Sequence, residues 1–194
     1  MHFRKLPWAA LALAAMLMPA QAAVTISFYA HQLGSKGMWV EFPHAYVTLT
    51  GTPDAGGAAV NTNYGFTPPV VGPSILFGRV DGEVVAVDDA YMAKDTPYFS
   101  FALSDKQYEA VLAVVGRWRN APQPSYDLDT HNCVIFVKDV AAAVGLATSS
   151  DDPYVRDPAR FLADLRSRNL AFLSQSSGRL AGMVPTAKRS VASQ

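Results

Sequence analysis

A single cysteine, Cys133, stands in Thr130-His131-Asn132-Cys133-Val134, where a polar loop gives way to an apolar-periodic segment that reads as a helix. A thiol is a nucleophile only as its thiolate, and the unpaired N–H groups and dipole at a helix N-terminus favour that form. Given an imidazole to take its proton, such a thiol attacks carbonyl carbon and forms an acyl-enzyme, with its own N–H and another from the same turn available to hold the oxyanion. Two other uses of a lone thiol stand beside this one: an inert, buried packing residue and an intermolecular bridge. One cysteine cannot close an internal disulfide or form a cysteine metal cluster, and the histidines lack zinc-site spacings such as H-E-x-x-H.

Three histidines beyond the N-terminal segment compete as the base. His44 opens a β-rich stretch, His-Ala-Tyr-Val-Thr-Leu-Thr-Gly, and a strand would fix its ring, so it is preferred. His131 lies two residues from the thiol, but catalytic Cys and His partners come from separate elements and meet in the fold. His31, at a strand end before Gly34-Ser35-Lys36-Gly37, is the third choice. Asn132 suits an N-cap whether or not the chain is an enzyme. Asp127 and Asp129 resemble a carboxylate pair, yet acids before a helix are ordinarily solvated or drawn by its dipole.

The elements that must position these groups follow from pattern. Residues 23–32 and 38–51 alternate with β-branched and aromatic residues and read as strands, the second with Pro43 near its start; residues 58–68 resume an extended pattern after a Gly-rich turn. Asp81-Gly82 between apolar runs predicts a hairpin within residues 74–89. Residues 97–103 form a further strand. A helix follows, opened by a capping box of Ser104 and Gln107 and carrying Tyr108, Val111, Leu112, Val115 and Trp118 on one face. The cysteine helix runs from Asn132 to about Val144, stopped by Gly145, with Phe136, Val140 and Val144 as its buried stripe. A last helix spans residues 158–173, with Phe161, Leu162, Leu165, Leu170 and Leu173 apolar, and a Ser/Gly-rich tail without periodicity follows and should be loosely ordered. Strands first and helices after make an α+β layout, an antiparallel sheet packed against helices.

The strand-borne histidine in Phe42-Pro43-His44-Ala45-Tyr46, the polar next strand Asn61-Thr62-Asn63-Tyr64-Gly65-Phe66, and Asn132-Cys133 opening a helix after a Tyr-led loop together resemble the circularly permuted NlpC/P60 group of papain-like cysteine hydrolases. The likeness spans about residues 27–146. It implies a permuted papain-like fold with the histidine strand before the cysteine helix, Cys133 as nucleophile, His44 as base, and a polar residue of residues 61–66 orienting the ring. Asn63 is favoured there, because an amide oxygen accepts a ring N–H, with Asn61 and Tyr64 as alternatives. Asn61 and Asn63 could equally be hairpin turn residues. Tyr126, Tyr64 and Tyr46 are candidate substrate contacts; for Tyr126, packing under the loop is the competing role. The group's chemistry points to a thiol protease or amidase acting on peptidoglycan peptides; its lipid-acting members keep an acyltransferase or esterase open, and a non-catalytic envelope binding module that retains the fold is the alternative class.

Composition sets the frame. A chain of 194 residues, half of them apolar, supports one substantial core. Zero formal net charge with only 16% charged residues lacks the basic footprint of a nucleic-acid binder. Arg4 and Lys5, an apolar run from Leu6 to Met18 and Ala20-Gln21-Ala22 form the pattern of a cleaved secretory signal; the run is short of the ~20 residues a membrane span needs. The expected organisation is therefore a signal peptide (1–22), one papain-like domain (23–175) and a tail (176–194), in a periplasmic or secreted protein. Its implied partner is a peptide or acyl substrate, with no nucleic acid, no cofactor and no stable membrane span.

Overall fold

The computed structural model describes residues 23–32, 34–36 and 39–183, so the expected signal peptide and the last eleven residues of the tail lie outside the described residues. Among the described residues nine strands form: β1 (Thr25–His31), β2 (Gly34–Lys36), β3 (Trp39–Glu41), β4 (His44–Gly51), β5 (Val60–Thr67), β6 (Val80–Asp81), β7 (Glu83–Val85), β8 (Phe99–Ala102) and β9 (Ser125–Tyr126). Five of them build an antiparallel sheet in the order β7-β5-β4-β1-β8. The helices are α1 (Asp89–Met92), α2 (Asp105–Arg119), α3 (Cys133–Ala143), α4 (Pro158–Arg168) and α5 (Leu170–Met183).

Alternation along the strands divides the sheet into two unlike faces. Ile26 and Phe28 of β1, Ala45, Val47 and Leu49 of β4, Phe66 of β5 and Phe101 of β8 join Val111, Phe136, Val140, Leu162 and Leu165 from the helices in one buried cluster. Burying each large apolar side chain contributes about 1.5–3 kcal/mol. The other face carries Ser27, Tyr29, His31, His44, Tyr46, Thr48 and Asn63. It is covered not by a long helix but by the segment around α1: Asp88 caps that turn by accepting from Tyr91 N–H at 2.7 Å, and Tyr98 N–H donates to Phe28 C=O at 2.9 Å.

Local sequence signals set several boundaries. Ser104 Oγ accepts from Gln107 N–H while Gln107 Oε1 accepts from Ser104 N–H, so the capping box opens α2 as its spacing predicts. Gly145, at φ 89°, ends α3 in the left-handed region. Of the expected α2 face, Leu112 is exposed; Val114 joins the core in its place.

Four expectations are corrected. Residues 38–51 are not one strand: Phe42-Pro43 separates β3 from β4, since a proline offers no N–H to the ladder. Asp81-Gly82 is not a hairpin turn; β6 pairs with β9 and β7 with β5. Gly82 serves close packing instead: a Cβ there would collide with the Phe66 ring and come within 3.0 Å of Tyr126 N, and Gly82 N–H donates to Pro124 C=O at 2.9 Å. The last helix is two helices broken at Asn169, whose amide bonds Ala147 N–H, Ala147 C=O and Leu165 C=O, which leaves Leu170 exposed. Finally, the segment expected to be loose from Ser174 onward continues α5 to Met183.

Candidate active site

Asn132 organises the start of α3. Its Oδ1 accepts from Val134 N–H (2.9 Å) and Ile135 N–H (3.1 Å), and its Nδ2 donates to Leu128 C=O (2.7 Å) and Val155 C=O (2.8 Å). One side chain thus caps the helix and ties two flanking loops to it. Upstream, Asp127 and His131 exchange backbone hydrogen bonds, and Asp127 Oδ1 accepts from Asp129 N–H, Thr130 N–H and the Thr130 hydroxyl. The Thr130 hydroxyl in particular holds the Asp127 carboxyl below its usual range. Asp127 is therefore a turn residue, while Asp129 is engaged on the surface by Arg156 at 2.6 and 2.7 Å.

Cys133 is only 3% exposed. The N–H groups of Ala45, Val134 and Cys133 itself, and the Tyr126 hydroxyl, are directed at its sulfur. Each favours the thiolate, but burial outweighs them and pushes the thiol up, not down as the helix terminus alone implies. The resting thiol is protonated. Burial, followed by the neighbouring thiol, also pushes the Tyr126 phenol well above its ordinary value, so its hydroxyl is a permanent donor toward sulfur; it accepts in turn from Cys133 N–H.

The three histidines have separate surroundings. His131 Nδ1 lies 2.6 Å from Ser125 C=O, and its ring stacks on Trp118 at 4.0 Å and meets Phe66 edge-on at 5.1 Å, which makes it a packing residue of the loop. His31 pairs through Nδ1 with Asp95 Oδ1 at 2.9 Å, in a pair 8% exposed on each side. His44, directly across from His31 in the β1–β4 register, points to the same face. Its Nε2 is enclosed without a hydrogen-bond partner, seated where a side chain at position 65 would stand, beside Gly65. Burial, then the charge of His31, lowers its pKa from 6.5 to about 4, so the ring is neutral at ordinary pH.

Because neighbours on a strand point to opposite faces, Ala45 meets Cys133 while the His44 ring lies on the far face of β4. The fold thus brings Cys133, Tyr126 and the Ala45 N–H together, and places His44 around the end of the sheet from them. Asn63 pairs with Thr48 in the β4–β5 register, four positions along β4 from His44. Its amide is spent on Val87, donating to the C=O at 2.9 Å and accepting from the N–H at 2.7 Å, so it pins the segment before α1 and does not orient the imidazole. Asn61 lies farther off, opposite Thr50. Tyr64 faces the helices beneath Arg119, 5.7 Å from its ring. Tyr46 is fully buried, with its hydroxyl donating to Asp95 Oδ2 at 3.1 Å, which removes it from any substrate surface. Asp95, the acceptor for both Tyr46 and His31, was not singled out from the sequence; Lys94-Asp95-Thr96-Pro97 reads only as a turn.

Two cavities meet at this end of the sheet. One, about 210 Å³, is lined by Cys133, Asn132, Leu128, Val155 and Leu76; the other, about 350 Å³, by His44, Tyr91, Val71, Val85 and Val87. Phe42, Pro43, Ile75 and Tyr126 line both, so the two adjoin in a largely apolar region at the strand ends. Its wall is a short 3-10 turn, Pro73–Leu76, from which Ile75 points inward. Among the described residues no group of His, Cys, Asp and Glu could hold a metal ion, and no helix is long and apolar enough to cross a membrane. Compared with known protein families, curated proteins and solved structures, the chain matches none of them.

Proposed function

We propose that this chain is a thiol hydrolase or acyltransferase that forms an acyl-enzyme on Cys133 from an ester or amide. The observation that carries the reading is the set of donors converging on a thiol at a helix start, in a cavity adjoining a second one lined by an unpartnered, neutral imidazole. In the forward step the sulfur bonds to the carbonyl carbon as the thiol proton leaves. In this proposal His44, which lines the adjoining cavity, is the base that receives that proton across one water. The Ala45 N–H and Tyr126 hydroxyl, which face the sulfur, then face the oxygen that gains charge. Collapse expels the alcohol or amine with the proton returned by His44, and water or another acceptor takes the acyl group from sulfur.

The permuted papain-like fold, export to the periplasm or beyond, and peptidoglycan peptides as substrate remain part of this proposal and rest on the resemblance of the motifs. A second reading, an envelope binding module with Cys133 as packing, draws support from the burial that raises the thiol and from the His44 ring lying on the other face. Hydrolysis of p-nitrophenyl esters and of peptidoglycan peptides separates the two. Turnover abolished in Cys133→Ala and lowered at least a hundredfold in His44→Gln supports the enzyme; turnover equal in Cys133→Ala and wild type ends it.

A further inference from the structure

We infer that Gly65 is the positioning residue of the His44 imidazole: the ring is oriented by the space that a missing side chain leaves on β5, not by a hydrogen bond. The ring's part as a base rests on the thiol-hydrolase reading; its placement does not. Gly65 stands opposite Tyr46, two residues along β4 from His44, on the polar face of the sheet. A Cβ there would collide with His44 Nε2, come within 3.1 Å of Cε1 and lie 3.3 Å from Tyr46 Cβ. Gly65 is paired on both sides, with Tyr46 of β4 and Val85 of β7, so its backbone has no room to draw back and the ring would have to yield.

Among the described residues, His44 Nε2 is the only enclosed side-chain nitrogen or oxygen without a hydrogen-bond partner. Folded proteins rarely leave such an atom unbonded, because its lost hydration is not repaid. Here shape takes the place of the missing bond. Gly65 leaves the space, the Tyr46 ring lies nearly parallel at 6.1 Å and 17°, and the imidazole lines the 350 Å³ cavity with Tyr91 and Tyr126. The amides of the same stretch do other work: Asn63 is bound to Val87, and Asn61 lies opposite Thr50. The titratable groups around the ring and its cavity are His31 of β1, which Asp95 pairs, and the phenols of Tyr46, Tyr91 and Tyr126 from β4, α1 and β9. None of them bonds Nε2, so filling the space at position 65 is the direct way to move the ring.

Histidine titration by NMR tests the placement. His44 should titrate near pH 4 in the wild type and about one pH unit or more higher in Gly65→Ala, whose methyl group drives the ring toward solvent. In p-nitrophenyl acetate hydrolysis the acidic limb of kcat/KM should move up with it, while kcat falls about tenfold or more and KM stays within about twofold. Urea unfolding supplies the second arm. Once the ring is gone the added methyl group has room, so Gly65→Ala should lower the midpoint in the wild type and shift it at most about a third as far in a His44→Ala background. Should Gly65→Ala not fold, folding of the Gly65→Ala/His44→Ala double variant supports the contact, and its failure to fold overturns it. An unmoved His44 titration in folded Gly65→Ala, or an equal midpoint loss in both backgrounds, overturns the inference even where Cys133 turns over ester. A moved titration with a fixed pH profile overturns the base role of His44 and so the part of Gly65 in the reaction, while supporting the placement.

Discussion

The two faces of one strand, β4, have opposite chemistry. Ala45, Val47 and Leu49 lie fully buried toward the helices, while His44, Tyr46 and Thr48 join a polar layer with His31, Asp95 and Asn63. The first face gains from area removed from water and tolerates only shape. The second is held by specific partners: Asp95 takes both the His31 ring and the Tyr46 hydroxyl, and Asn63 satisfies both backbone groups of Val87. Cys133 thus belongs to the packed face and His44 to the bonded one, so the proton transfer proposed between them has to run around the strand ends, not through the sheet.

The contrast has measurable consequences. Phe101→Ala, on the packed face at full burial, should cost about 3–5 kcal/mol in urea unfolding, through lost transfer energy and the cavity left behind. On the other face, His44 ties stability to pH. Its folded pKa, about 4, lies below its ordinary 6.5, so the unfolded chain binds more protons in that window and stability falls as pH drops from 6.5 toward 4. The loss should be on the order of 2–3 kcal/mol, and in His44→Gln the slope of stability against pH in that range should flatten; an unchanged slope would show that the ring is solvated. Tyr46→Phe, which leaves Asp95 one donor short, should cost about 1–2 kcal/mol without changing core packing. Asp129→Asn, whose fully exposed carboxylate meets Arg156 in solvent, should leave the melting temperature unmoved.

What the sequence made legible is what local chemistry determines. The Ser104–Gln107 box, the Asn132 cap, the Gly145 stop and the Phe136, Val140, Val144 stripe all depend on residues within a few positions of one another, and each stands as read. The α+β layout and antiparallel sheet follow from the order of such segments. Pairings between distant residues were not legible. Asp81-Gly82 has hairpin chemistry, yet Val80 pairs with Tyr126, and Gly82 passes close to Phe66. Asp95 meets His31 across 64 positions with no local mark. Asn63 had the right residue type for orienting a ring but the wrong register, since four positions along β4 separate its cross-strand partner Thr48 from His44. The thiol's raised pKa likewise depends on how deeply Asn132 and its loops bury the helix start, which dipole arguments alone do not contain.

The most direct measurement is the intact mass of the protein quenched in acid during turnover of a p-nitrophenyl ester, followed by peptide mapping. The proposed mechanism predicts one added acyl group on the peptide carrying Cys133, formed more slowly in His44→Gln, which lacks the base that takes the thiol proton, and absent in Cys133→Ala. Hydrolysis that proceeds with no acyl adduct at Cys133 in either protein would contradict it.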